Sequence, residues 1–271
     1  MAHNMKPYFS LLRVRLLNGL QYRAAALGGL TTQFFWGVML IIIYSAFYGD
    51  ATYSYGFSFS DLVTYVWLQQ AFLAFIFLYD WDTELFDMIT NGNISYELCR
   101  PINLYQIWYV KLFSKRLARG LLRFSPILAI GFLVPYPFNL SLPQSPLSFL
   151  LFVITMALGL LLLVAVSMMI YISVFKTMHP AGSMTTIGIV GEFFAGMTIP
   201  IPLMPLWLQD ISFFMPFRWT ADLPLRVYTG HIGTQEALLG VAMQVFWLVV
   251  LVSAGVYIMK KVTRLSMVQG G

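Results

Sequence analysis

Glu192 is the only acidic or basic side chain deep inside a strongly apolar run of this 271-residue chain. An ionised carboxylate in hydrocarbon is costly, so such a residue usually faces a bundle interior or a wet cavity. Two roles fit it. It could line a path for cationic or polar cargo, or it could be protonated and hydrogen-bonded to a neighbouring helix, with Gly188, Gly191 and Gly196 permitting the close approach. Gln69 and Gln70, beside Trp67, pose the same choice in another apolar run. Two adjacent amides cannot both point at one neighbour, so interhelical hydrogen bonding accounts for one and leaves the other to face a cavity. Trp67, Gln69, Gln70 and Glu192 are therefore the candidate path residues.

Other chemistry is missing from the sequence. No Gly-rich loop ends in Gly-Lys-Ser/Thr, and no Gly-Lys pair occurs at all, so phosphates cannot be cradled in the P-loop manner. There is no legible Ser/His/Asp set and no carboxylate pair placed for hydrolysis. His3, His179 and His231 fall in three separate loops with no carboxylate or thiol at ligand spacing, which predicts no metal site. The single cysteine, Cys99, excludes an internal disulfide framework. The chain is expected to catalyse nothing by itself and to carry no cofactor.

A second concentration of reactive side chains lies in the one long charged segment, 81–123. Lys111, Lys115, Arg119 and Arg123 recur every four residues with Arg116 beside them, giving a basic stripe on a helix. Anchorage to anionic lipid, at roughly 1 kcal/mol per basic residue near the surface, is the expected role. Upstream, Asp82, Glu84, Asp87 and Glu97 make the segment acidic. Asn91-Gly92-Asn93 is a turn signal, and Asn93 can cap a short helix through Ile94, Tyr96, Glu97 and Leu98. Pro101 ends it, because Arg100 before the proline disfavours helix. Residues 92–101 thus form a short peg whose Ile94, Tyr96 and Leu98 would be wasted on water without a partner.

The elements that position these residues follow from composition. The chain is 59% hydrophobic and only 10% charged, against about a quarter charged in a soluble domain. That polarity cannot cover a water-facing globule, and an all-α polytopic membrane protein is the class that fits. Six runs approach the roughly 20 apolar residues a helical span needs: 24–48, 62–79, 124–140, 147–175, 183–201 and 238–259. The third is broken by Pro126, Pro135 and Pro137, which neighbouring helices can compensate within a membrane. Of sixteen Lys and Arg residues, all but Arg218 and Arg226 then fall on one side. That segregation places both termini and the charged loop in the cytoplasm.

Before the first span, 5–23 predicts an interfacial helix with Phe9, Leu12, Leu16 and Leu20 as its apolar stripe. Arg13 and Arg15 interrupt its apolar residues, so no cleavable signal is expected and the first span serves for insertion. Ser60 before Asp61 predicts a helix cap. The segment 199–235 is too apolar for a free loop and too rich in proline (Pro200, Pro202, Pro205, Pro216 and Pro224) for a span. Short helices dipping back into the outer leaflet suit it.

Taken together these stretches resemble the permease subunits of ABC-2 type ATP-binding-cassette exporters, in an uncharacterised branch of that family. The resemblance covers nearly the whole chain. It rests on Gly19-Leu20-Gln21-Tyr22-Arg23 and Thr32-Gln33-Phe34-Phe35-Trp36-Gly37, on Tyr65-Val66-Trp67-Leu68-Gln69-Gln70, on 92–101, on Pro200-Ile201-Pro202 and Leu223-Pro224-Leu225-Arg226, and on the terminal Val268-Gln269-Gly270-Gly271. It implies a multi-pass half-transporter of a prokaryotic cytoplasmic membrane that pairs with itself or a second permease. Two separate ATPase subunits would carry ATP and Mg²⁺. It further implies that Gly92, Asn93, Ile94, Tyr96, Glu97, Leu98, Arg100 and Pro101 form the helix coupling to the ATPase. Spans two and five would line the path, and the turns at Pro200, Pro202 and Pro205 would close the exit. An ion-gradient-driven secondary transporter and a non-transporting scaffold or sensor subunit are the competing classes. The first of these usually shows broken helices in repeated halves, and no repeat is evident.

Overall fold

The computed structural model describes residues 6–21, 23–48, 57–99 and 102–269, the side chains of 23–27 and 265–269 excepted. Among the described residues the chain is all helical. In order the helices are α1 (Lys6–Gln21), α2 (Arg23–Tyr48), α3 (Phe59–Ala71), α4 (Leu73–Ile76), α5 (Thr83–Thr90) and α6 (Ile94–Leu98). They continue with α7 (Leu104–Leu133), α8 (Pro146–Thr177), α9 (Pro180–Phe194), α10 (Leu206–Phe213), α11 (Asp222–Thr229) and α12 (Thr234–Gln269). A 3-10 turn covers Ile201–Leu203.

α8 is the axis. Its residues are apolar all round, and most of them are buried, as expected of a helix at the centre of a bundle rather than on its surface. α7, α9, α11, α12 and the short α4 and α5 pack around it. By contrast, α2 and α12 turn rows of large apolar side chains outward, among them Phe35, Trp36, Ile42 and Phe47 on α2 and Phe246, Val249 and Tyr257 on α12. Apolar faces of that extent do not persist in water. Among the described residues three stretches are long and apolar enough to cross a membrane: Gly28–Tyr48, Pro146–Thr177 and Thr234–Arg264. They coincide with the first, fourth and sixth expected spans.

The other three expected spans take different forms. The run 62–79 is interrupted at Phe72, where the backbone leaves the helix between α3 and α4 and becomes extended from Phe77. The run 124–140 is the latter part of α7, which begins well before it and stops at Leu133, since Pro135 cannot continue the hydrogen-bond ladder. The run 183–201 is helical only as far as Phe194, because Gly196 adopts a left-handed conformation (φ 77°) that ends α9. Ser58, not Ser60, caps α3 by accepting the Asp61 N–H (3.1 Å).

Corrections of a similar kind apply to α1. Its inward side is Tyr8, Leu12, Arg15, Leu16 and Gly19, a stripe of helical period, whereas Phe9 faces outward. The inward side lies along the first half of α7. Tyr8 accepts the Asn103 N–H (3.4 Å), and Gly19 approaches Ala118 so closely that a β-carbon there would sit 2.6 Å from the Ala118 Cβ.

Close backbone approach also fixes the opposite end. A β-carbon on Gly159 of α8 would lie 2.6 Å from the Thr220 carbonyl oxygen, whereas one on Gly182 of α9 would meet nothing. Gly159→Ala is expected to lower stability by about 1–3 kcal/mol through overpacking against main chain that cannot give way. Gly182→Ala should leave stability unchanged or raise it slightly. Thermal unfolding of both variants in detergent checks the contrast.

Candidate functional site

The peg predicted at 92–101 is present as α6. Gly92 takes a left-handed φ of 71°, which lets the chain reverse after α5 and start a new helix at Ile94. Asn93 does not cap it: its own backbone is already in the helical region, and its side chain makes no capping bond. Arg100 and Pro101 lie outside the described residues. Of the three apolar residues expected to face a partner, Ile94 is buried (7% exposed) and Leu98 packs against the core. Tyr96 alone projects, at 74% exposure.

Glu97 explains why the peg faces this way. Its carboxylate accepts the Trp108 indole N–H (2.6 Å) and the Lys111 ammonium (2.9 Å), both from α7. Trp108 is fully buried and stacks on Phe175 near the end of α8. Glu97 is therefore an internal fastener rather than a partner contact. Lys111 also holds Glu84 of α5 (3.1 Å), which in turn accepts from Arg15 of α1 (2.7 Å). A continuous chain of ion pairs, Arg15–Glu84–Lys111–Glu97, thus joins the N-terminal helix to the peg.

The basic stripe on α7 is largely consumed by such pairs, which corrects the expectation that it stands free for lipid. Lys115 bridges Asp80 and Asp82 (3.4 and 2.9 Å), and Arg119 binds Asp80 (2.6 Å). Arg116 is buried, donating to the Phe77 carbonyl and to Ser167 Oγ. The acids upstream lie over the stripe because α5 packs on α8, with Asp82 capping α5 and Asp82 and Glu84 reaching α7 through Lys115 and Lys111. Burial opposes charge on Asp80, but Arg116, Lys115 and Arg119 outweigh it and hold its carboxyl below the usual range. The Arg15 hydrogen bond does the same for Glu84 against partial burial.

Three of the four candidate path residues are hydrogen-bonded within the fold. Glu192 Oε1 accepts the Tyr79 N–H (2.9 Å) in the extended backbone after α4. That is the hydrogen-bonded alternative of the two, though the partner is irregular main chain and not a second helix. Gln69 donates to the Met197 carbonyl (2.7 Å) just beyond the end of α9, and Trp67 donates to the Phe138 carbonyl (2.9 Å). Gln70 is buried against Gly37 of α2, its amide oxygen without a partner. None of these four lines the large apolar cavity (about 730 Å³) between α3, α7 and α8, which is walled by phenylalanines including Phe72, Phe124 and Phe152. Pro200 and Pro202 flank and enter the 3-10 turn, and Pro205 precedes α10.

One cluster escaped sequence reading. Asp222 of α11 has no exposed surface, and Arg218 and Arg226 approach it at 3.7 and 3.4 Å. The Tyr65 hydroxyl lies 3.3 Å from both Asp222 Oδ1 and the Gly196 carbonyl, so α3, α11 and the end of α9 meet there. The i, i+4 spacing of Arg218, Asp222 and Arg226 was the available signal. It marks a structural knot at the end away from the peg.

Because the carboxyls of Asp80 and Glu84 sit below their unfolded values, the stability they contribute is complete above the ordinary carboxylate range, about pH 4, and is lost as pH falls through the depressed values. Thermal unfolding between pH 6 and 3 should show that acid loss. Arg15→Gln should make it shallower, since the largest influence on Glu84 is gone.

A family model described as ABC-2 family transporter protein matches residues 34–267. No curated protein matches the chain.

Proposed function

The chain belongs to the ABC-2 family of transporter proteins, and from that premise we propose that it is the membrane half of an ATP-driven exporter whose peg, α6, is driven by a separate ATPase. As a family member it is an integral membrane permease of an ABC transporter, a transport component and not a catalyst, and the family implies ABC ATPase partners. ATP and Mg²⁺ would reside on those partners. The observation that carries the coupling role is the division of labour within α6: Glu97, Ile94 and Leu98 are turned inward and fastened, while Tyr96 is left out in the open. An exposed aromatic on an otherwise tied-down helix is the anchor type that dominates protein interfaces.

In this reading both termini and the peg face the cytoplasm of a prokaryotic inner membrane. Six passages are completed by the interrupted α3–α4, the latter part of α7 and α9. Two copies, or this chain with a second permease, enclose the path. The turn and helices after α9, with Pro200, Pro202 and Pro205, lie at the outer exit. Trp67, Gln69 and Glu192 each make a hydrogen bond within the protomer, and with Gln70 they remain the residues proposed to line the path. The gradient-driven alternative is disfavoured by the lack of an evident internal repeat.

Tyr96→Glu should reduce recovery of the partner ATPase with the purified permease by about tenfold, the scale of one interface anchor. Ser95→Ala, beside it and also exposed, should not. Equal recovery with both variants would sink the coupling role of α6.

A further inference from the structure

A cavity of about 820 Å³ opens between α1, the start of α5 and α7, walled among others by Arg15, Lys111, Lys115, Arg119 and Arg123. Their carboxylate partners are unevenly distributed. Arg15, Lys111 and Lys115 each hold at least one, as described above. Arg119 spends one nitrogen on Asp80 and keeps nearly half its side chain exposed. Arg123 has no ion pair and no hydrogen bond among the described residues, although it is half-buried. A half-buried guanidinium with no carboxylate partner keeps its donors available to an anion entering this cavity.

Position identifies the kind of anion. The Arg123 guanidinium lies directly over Gly29, where a β-carbon would come within 2.6–2.8 Å of its carbon and both terminal nitrogens. Gly29 lies within the first two turns of the apolar run that follows Arg23, and Gly28–Tyr48 within that run is long enough to cross a membrane. The charge therefore sits where hydrocarbon gives way to water, the level of lipid headgroups. The planar fork of a guanidinium matches the paired oxygens of a phosphate.

We propose that this cavity binds the phosphate group of an anionic phospholipid, held by Arg123 with the free edge of Arg119, at the rim of the packed α1–α7 seam. The site requires membrane residence only and is independent of the coupling role of α6. Inorganic phosphate offers the same chemistry from solution, so the test includes it. Purified full-length protein, stripped of lipid in detergent, is titrated with phosphatidylglycerol or phosphatidylcholine, and retained adducts are counted by native mass spectrometry. Phosphatidylglycerol should be retained in preference. Arg123→Gln should reduce its retention about tenfold, Arg123→Lys should restore part of it, and excess inorganic phosphate should not displace it. Equal retention by Arg123→Gln with an unchanged unfolding temperature, or equal retention of the two lipids, would overturn the site. Displacement by inorganic phosphate would overturn the lipid assignment in favour of a soluble phosphate compound.

Discussion

Irregular backbone in apolar surroundings must find its hydrogen bonds inside the protein, and most of the polar architecture of this chain answers that demand. The break between α3 and α4 and the early end of α9 leave main-chain groups that no helix satisfies. The Tyr79 N–H is taken by Glu192, the Phe77 carbonyl by Arg116, and the Met197 carbonyl by Gln69. Tyr44 supplies the Thr198 carbonyl, and Gln244 of α12 supplies the Trp219 carbonyl before α11. A polar residue in each of these cases faces a local failure of the helical ladder. The charged and amide side chains that look most like machinery are first of all what allows the helices to be interrupted.

This explains the limits of the sequence as a guide. Long apolar helices were legible because hydropathy over twenty residues is a sum, insensitive to any one position; α2, α8 and α12 stood out accordingly. The peg was legible because Gly92 and Asn93 carry local turn chemistry. Glu192 and Gln69 were found as residues but not as roles, since their partners lie 113 and 128 positions away. The stripe from Lys111 to Arg123 misled for a similar reason. Its spacing showed a basic face, and nothing local revealed that α5 folds Asp82 and Glu84 over it. Ile94 and Tyr96 are two residues apart in one short helix, and only tertiary packing decides which is hidden.

The two ends of the molecule are built differently. At the peg end, charges form an extended network in which Glu84 and Asp80 each hold two cations, and Arg15, Glu84 and Arg119 remain accessible to water. At the other, Asp222 is wholly enclosed with two arginines and Tyr65. Breaking an enclosed ion cluster leaves an uncompensated buried charge, whereas exposed pairs exchange partners at little cost. The peg end is thus suited to rearrangement and the Asp222 end to holding α3, α9 and α11 in fixed relation.

α7 connects them. It runs as a single helix from Leu104 to Leu133, a rod of about 45 Å at 1.5 Å per residue. Near one end Trp108 and Lys111 grip the peg; near the other Gly131 lies against Trp67 and Leu140. A rod of this length that pivoted about its middle by only about 5° would carry each end some 2 Å, in opposite directions. The ends of α7 would then move as the arms of a see-saw, so that a shift of the peg in one direction would accompany a shift of the far end in the other.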